Sequence, residues 1–128
     1  MNKGFLLDTD VLIAYLRGYP QTVSLLKAFA KEEATFSISA VTVIEIEAGI
    51  RDKERERTYE LLDILEVLLL DKRVAQLAGS LLRKYRSKGI SLGLADVIIG
   101  ATAVAEDLIL ITYNPRHYPM SEIKIFSQ

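Results

Sequence analysis

The sequence predicts an α/β fold: a four- to five-stranded, mainly parallel sheet with helices on both faces. Three observations lead there. Short apolar runs alternate with segments of helical period along the 128 residues, the pattern of βα units. The first run, Gly4-Phe5-Leu6-Leu7, carries no polar side chain and reads as a buried strand. The stretch Ile90 to Ala105 is aliphatic or small except for one ionisable group, Asp96, and a helix apolar on all sides is normally buried.

Taken in order, the strand Gly4–Leu7 ends at Asp8-Thr9-Asp10. Val11 to Arg17 is then helical, with Thr9 or Asp10 as N-cap and Gly18 as its stop. A second helix spans about Pro20 to Lys31, burying Val23, Leu26 and Phe29. Thr35 to Ser39, β-branched and aromatic, is the second strand. Val41 to Ile50 is helical, with Val43, Ile46 and Ile50 on one face and Glu45 and Gly49 on another.

The run Arg51 to Arg57 alternates in sign and reads as a solvated helix surface, continuing through Leu61, Leu62 and Leu65. Val67 to Leu70 is the third strand. Asp71 caps a helix from Arg73 to Lys88 whose apolar stripe is Val74, Leu77, Ala78, Leu81 and Tyr85, stopped by Gly89. Leu108 to Thr112 is the fourth strand, Tyr113 to Met120 a loop, and Ile123 to Phe126 a short edge strand.

The composition is that of a single folded domain over residues 1–128, half hydrophobic and 26% charged. A net charge of −1 excludes a strongly basic nucleic-acid coat but leaves room for a local basic face. The absence of cysteine excludes disulfides, thiolate metal sites and cysteine nucleophiles, and fits a cytoplasmic protein. No secretory signal or membrane-length apolar segment is expected, since Asp8 interrupts the first apolar run. Lys72, Arg73, Arg83, Lys84, Arg86 and Lys88 form a positive stretch without an acid. Four of them crowd a helix C-terminus, where the helix dipole favours cations, so a structural role outranks a nucleic-acid contact.

The chemistry lies in the carboxylates. In open parallel sheets, ligands bind outside the carboxyl ends of the strands. Asp8 ends the first strand, Glu45 lies in the helix after the second, and Thr112 and Asn114 follow the fourth. Asp96 stands near the start of the helix feeding that strand. Gly93 and Gly100 share its face and leave room for a close neighbour. The plainer reading makes Asp96 a core carboxylate satisfied by backbone donors, Asp8 a helix cap and Glu45 a surface residue. If instead Asp8, Glu45 and Asp96 converge, their repulsion raises the pKa of at least one. A hard divalent ion, Mg²⁺ or Mn²⁺, relieves that repulsion.

With those residues in view, the chain resembles a known family. LLDTDVLI with Asp8, SAVTVIEIEAGI with Glu45, LADVIIGATA with Asp96 and LILITYNPRHYP with Asn114 are similar to the four signature segments of PIN-domain ribonucleases, and most of all to the VapC toxins of prokaryotic toxin–antitoxin pairs. The resemblance implies a PIN-like α/β/α sandwich and Mg²⁺- or Mn²⁺-dependent endonucleolytic cleavage of RNA to 5′-phosphate and 3′-hydroxyl ends. It also implies a homodimer and a cognate VapB-type antitoxin.

On that resemblance Asp8, Glu45 and Asp96 are the catalytic and metal-binding acids, and Thr9 and Thr112 orient ligands or water. Asn114 stands where the family often has a fourth acid, and its carbonyl can ligate a metal or hold water without adding charge. Arg116, Tyr113 and Tyr118 are candidate RNA contacts in the last loop, and His117 is a surface residue there.

Two other readings compete. Asp8-Thr9-Asp10-Val11 also resembles the first motif of haloacid-dehalogenase-type phosphatases, with Asp8 as nucleophile. The acidic pair Glu106-Asp107, however, precedes its strand instead of following it. A non-catalytic PIN-fold module that binds RNA or protein is favoured only by Asn114.

Overall fold

The computed structural model describes residues 4–126. Four parallel strands, β1 (Gly4–Leu7), β2 (Thr35–Ser39), β3 (Glu66–Leu68) and β4 (Ile109–Ile111), lie in the order β3-β2-β1-β4. Six helices connect them: α1 (Thr9–Leu16), α2 (Pro20–Lys31), α3 (Ala40–Gly49), α4 (Arg55–Ile64), α5 (Lys72–Ser87) and α6 (Leu94–Ala105). The predicted class stands.

β1 is central because both of its faces are apolar. Leu6 points to one side, where it packs with Leu110 against α5 and α6. Phe5 and Leu7 point to the other and meet Leu12, Leu26 and Ile38. All three β1 side chains are at most 2% exposed, as expected for a parallel strand covered by helices on both faces. Gly18 and Gly89 follow α1 and α5 with positive φ, the left-handed stop that glycine permits.

Several boundaries differ from expectation, each for a local reason. Asp8 caps α1, as the plainer reading of that residue had it, in place of Thr9 or Asp10: its carboxylate takes the Thr9 amide at 2.8 Å, so the helix begins two residues early. The charged run is not one continuous helix. Ile50 and Arg51 are extended, Asp52–Glu54 is a single 3₁₀ turn, and α4 starts at Arg55. β3 runs one residue earlier than predicted and stops at Leu68, leaving Leu69 and Leu70 exposed. The predicted edge strand Ile123–Phe126 reduces to one bridge, Leu110 with Ile125.

The apolar stretch from Ile90 is helical only from Leu94, with Gly93 as N-cap. Its single acid therefore sits in the first turn, near the helix start as expected. Gly100 does permit the expected close approach, and the neighbour is the C-terminal segment: a side chain there would overlap Ile123 Cδ1. That segment is clasped to α5 by Glu122, which accepts from Lys84 at 2.6 Å and Tyr85 at 2.8 Å. These two donors hold the Glu122 carboxyl down to about 2.

Of the positive stretch, Arg73 pairs with Glu106 and Lys84 with Glu122. The structural reading holds for those two. Arg83, Arg86 and Lys88 are exposed.

Candidate active site

Each acid reaches the rim by a different route. Asp8 follows β1 directly, and its amide still bonds to the Ile111 carbonyl of β4 at 2.9 Å. Glu45 lies in the second turn of α3, the helix Ser39 caps as β2 ends. α6 turns back into β4 through Glu106–Leu108, with the Leu108 amide on Ala103 O at 2.8 Å. The helix therefore runs against the strands, and its first turn, with Asp96, stands at their carboxyl ends. That was the placement the sequence left open.

Asp8 is buried and fully engaged. Its Oδ1 accepts the Thr9 amide, and its Oδ2 accepts the Thr112 hydroxyl at 2.7 Å and the Tyr118 hydroxyl at 3.0 Å. Thr9 and Thr112 each bond to one of the acids, Thr9 to Glu45 and Thr112 to Asp8. Thr9 Oγ1 lies 2.6 Å from Glu45 Oε1 and 3.0 Å from Thr42 Oγ1. Its single proton goes to the charged acceptor.

Asp96 is about a third exposed, and His117 Nδ1 stands 3.7 Å from its Oδ2. Desolvation raises the Asp96 carboxyl. Nearby His117 lowers it, and the charges of Asp8 and Glu45 raise it again. Gly93 allows the arrangement, since a Cβ there would come within 3.0 Å of Asp96 Oδ2.

Two residues have roles the sequence did not assign. Tyr118, expected at the surface as an RNA contact, is 3% exposed with its hydroxyl on Asp8. Burial, then the Asp8 charge, holds that hydroxyl protonated. Asp10 is the other. Its Oδ2 accepts the Tyr113 amide at 3.1 Å and Asn114 Nδ2 at 2.7 Å, while Oδ1 is buried without a partner. Desolvation, then the charge of Asp8, raises its carboxyl. Asn114 therefore spends its side chain on Asp10, and the fourth acid at this rim is Asp10. The signal was in the sequence as Asp8-Thr9-Asp10: the third residue of that triplet faces back over the strand ends.

The convergence is electrostatic more than coordinative. Among the described residues, no three acidic or histidine side chains form a ready cation cage, because Asp8 and Glu45 are turned onto protein donors. The donor chemistry still fits a hard divalent ion: all-oxygen ligands, two carboxyls raised first by desolvation and further by neighbouring negative charge, and a buried oxygen left without a donor. Arg116 and Tyr113 lie on the exposed loop beyond this rim.

The PIN domain family matches residues 5–123. Ribonuclease VapC10 of Mycobacterium tuberculosis is 38% identical over 117 residues, 91% of this chain and 87% of that protein. The chain belongs to the PIN-domain family, among the VapC ribonucleases. Ribonuclease VapC19 of the same organism is 31% identical over 90% of this chain and 92% of its own length. Among solved structures, the DNA-bound VapBC of Salmonella typhimurium superposes with a TM-score of 0.85 at 25% identity, covering 98% of each chain. VapBC2 of Rickettsia felis, bound to a promoter DNA fragment, superposes at 0.87 with 20% identity and the same coverage. A PIN-domain match over nearly the whole chain removes the phosphatase reading of Asp8-Thr9-Asp10-Val11.

Proposed function

We propose that this VapC-type PIN domain is a divalent-cation-dependent endoribonuclease and the toxin half of a toxin–antitoxin pair. The observation that carries this reading is the shared rim: Thr9 bonds to both Asp8 and Glu45, and Asp96 stands in the first turn of α6 at the same strand ends. Asp8, Glu45 and Asp96 would hold Mg²⁺ or Mn²⁺. When bound, such an ion supplies charge to a phosphoryl oxygen and activates water for in-line attack.

The chain's own residues do the rest. Thr9 and Thr112 fix the orientation of Glu45 and Asp8, and Asn114 fixes Asp10. In this reading Asp96, partly exposed and with a raised carboxyl, takes the attacking water's proton, with Glu45 as the other candidate. Asp10 supplies the negative charge that Asn114 lacks, which weakens the non-catalytic alternative.

The cognate partner in this reading is a VapB-type antitoxin, a segment of which crosses the acidic rim with an Arg paired to the carboxylates. The named VapBC complexes support this by their composition. A homodimer is supported by Ile44 and Leu94, each 66% exposed on the touching helices α3 and α6. Among the described residues no helix is long and apolar enough to cross a membrane.

The test is cleavage of RNA by purified protein with and without Mn²⁺, beside the Asp96→Asn variant. Cation-dependent cleavage lost in the variant is the expected result. Equal activity in both proteins removes catalysis at this rim.

A further inference from the structure

Beyond the acidic rim, the opening of α2 and the segment after β4 border an open surface cleft of about 530 Å³ lined by Tyr19, Pro20, Gln21, Thr22 and Tyr113. Its two aromatic rings are unusually open: Tyr19 is 55% exposed and Tyr113 44%. Tyr113 is nevertheless held firmly. Its hydroxyl bonds to the hydroxyl of Thr22, which is 1% exposed, and its amide donates to Asp10 Oδ2 at 3.1 Å. Its chain neighbour Thr112 holds Asp8. An exposed ring pinned at both ends and wired to the acidic rim has little rotamer freedom left to lose on binding.

We propose that this cleft is a nucleobase-stacking subsite for a single-stranded RNA segment next to the bond cut at the acidic rim. The proposal rests on the nuclease reading above and specifies how that site selects its substrate. Recognition of single-stranded RNA relies on stacking unpaired bases against aromatic faces, and Tyr19 and Tyr113 provide such faces across a cleft of ligand size. The polar groups also suit a nucleotide. Pro20 opens α2 without a side-chain cap, so the amide of exposed Gln21 remains as a donor toward a phosphate oxygen. The Gln21 side chain, exposed in the same cleft, can pair with a base edge.

The experiment uses single-stranded RNA oligonucleotides with 2-aminopurine at successive positions, bound to the Asp96→Asn protein so that strands stay intact. Fluorescence quenching at one position, relieved by Tyr19→Ala and retained by Tyr19→Trp, is expected. Tyr19→Ala should weaken binding by about 5- to 100-fold, the range of losing one stacked base. In Asp96-intact protein the same change should raise KM with little effect on kcat. Removing the base at that position from the substrate should cost wild type the same factor and cost Tyr19→Ala nothing further. Tyr19 is at the surface, so its variants test binding without unfolding the protein, and Tyr113→Phe checks the pin while keeping the ring.

No quenching at any position, or an unchanged KM in Tyr19→Ala while wild type cleaves RNA, overturns the subsite alone. Position-specific quenching without cleavage under Mn²⁺ upholds the subsite and overturns the hydrolytic reading.

Discussion

Tyr118 donates its buried hydroxyl to Asp8 Oδ2 at 3.0 Å, on the same oxygen that takes the Thr112 hydroxyl at 2.7 Å. A carboxylate at the end of the central strand is thus braced from a loop 110 residues away. Tyr118→Phe keeps the ring and deletes one charge-assisted bond. Urea unfolding should show a loss of about 1–2 kcal/mol, the usual range for such a bond when the acceptor keeps other donors. The concentration of Mn²⁺ giving half-maximal cleavage should rise as well, since Asp8 gains freedom.

Asp10 should weaken the fold at neutral pH. Its folded carboxyl is raised, first by desolvation and then by Asp8, so the native state holds its proton to higher pH than the unfolded chain. Stability from this group falls as pH climbs from the unfolded value near 3.8 through the raised folded one. Asp10→Asn should therefore melt a few degrees above wild type at pH 7. The two proteins should converge as pH drops below 4. Thermal melts across that pH range check it, and a lower melting temperature for the variant at pH 7 contradicts it.

Bound Mn²⁺ should stabilise the protein by relieving repulsion at the rim. At a hundred times its dissociation constant, a ligand specific to the native state adds about 2.7 kcal/mol. The melting temperature should rise with added Mn²⁺ and return with EDTA. Asp8→Asn, Glu45→Gln and Asp96→Asn should each abolish the shift and lower cleavage by at least about 100-fold, since losing even an outer support of a metal site costs 10–100-fold.

Gly100→Ala sets two effects against each other. Alanine gains about 1 kcal/mol of helix propensity, but its Cβ overlaps Ile123 Cδ1 and crowds Met120. Ile123 is 7% exposed and has little room to retreat, and overpacking typically costs about 1–3 kcal/mol. A net loss is expected, with Gly100→Ala/Ile123→Val recovering it. An additive double variant would show that the contact is not the cause.

Much of this was readable in advance because the signals are local. An apolar run marked β1 and a β-branched, aromatic one β2, and Asp71 capped α5 as expected, with the Val74 amide on its Oδ1. The acids Asp8, Glu45 and Asp96 stood out by position against apolar neighbours. Their partners did not. Tyr118 looks like any loop tyrosine until the chain closes over Asp8. Asn114 looks like a ligand until its amide is seen on Asp10. Pairings that span 104 or 110 residues leave no trace in spacing. The break at Ile50–Arg51 was hidden for another reason: alternating charges suit a helix and a turn equally well.

The braces on Asp8 have a consequence for biosynthesis. During translation β1 emerges early, while Thr112 and Tyr118 follow more than a hundred residues later. Until they emerge, the one donor Asp8 has nearby is the Thr9 amide, and Asp96 has no β4 to seat its helix. A growing polypeptide therefore carries its acids unassembled, and the rim takes its final form only once the last loop has closed over it.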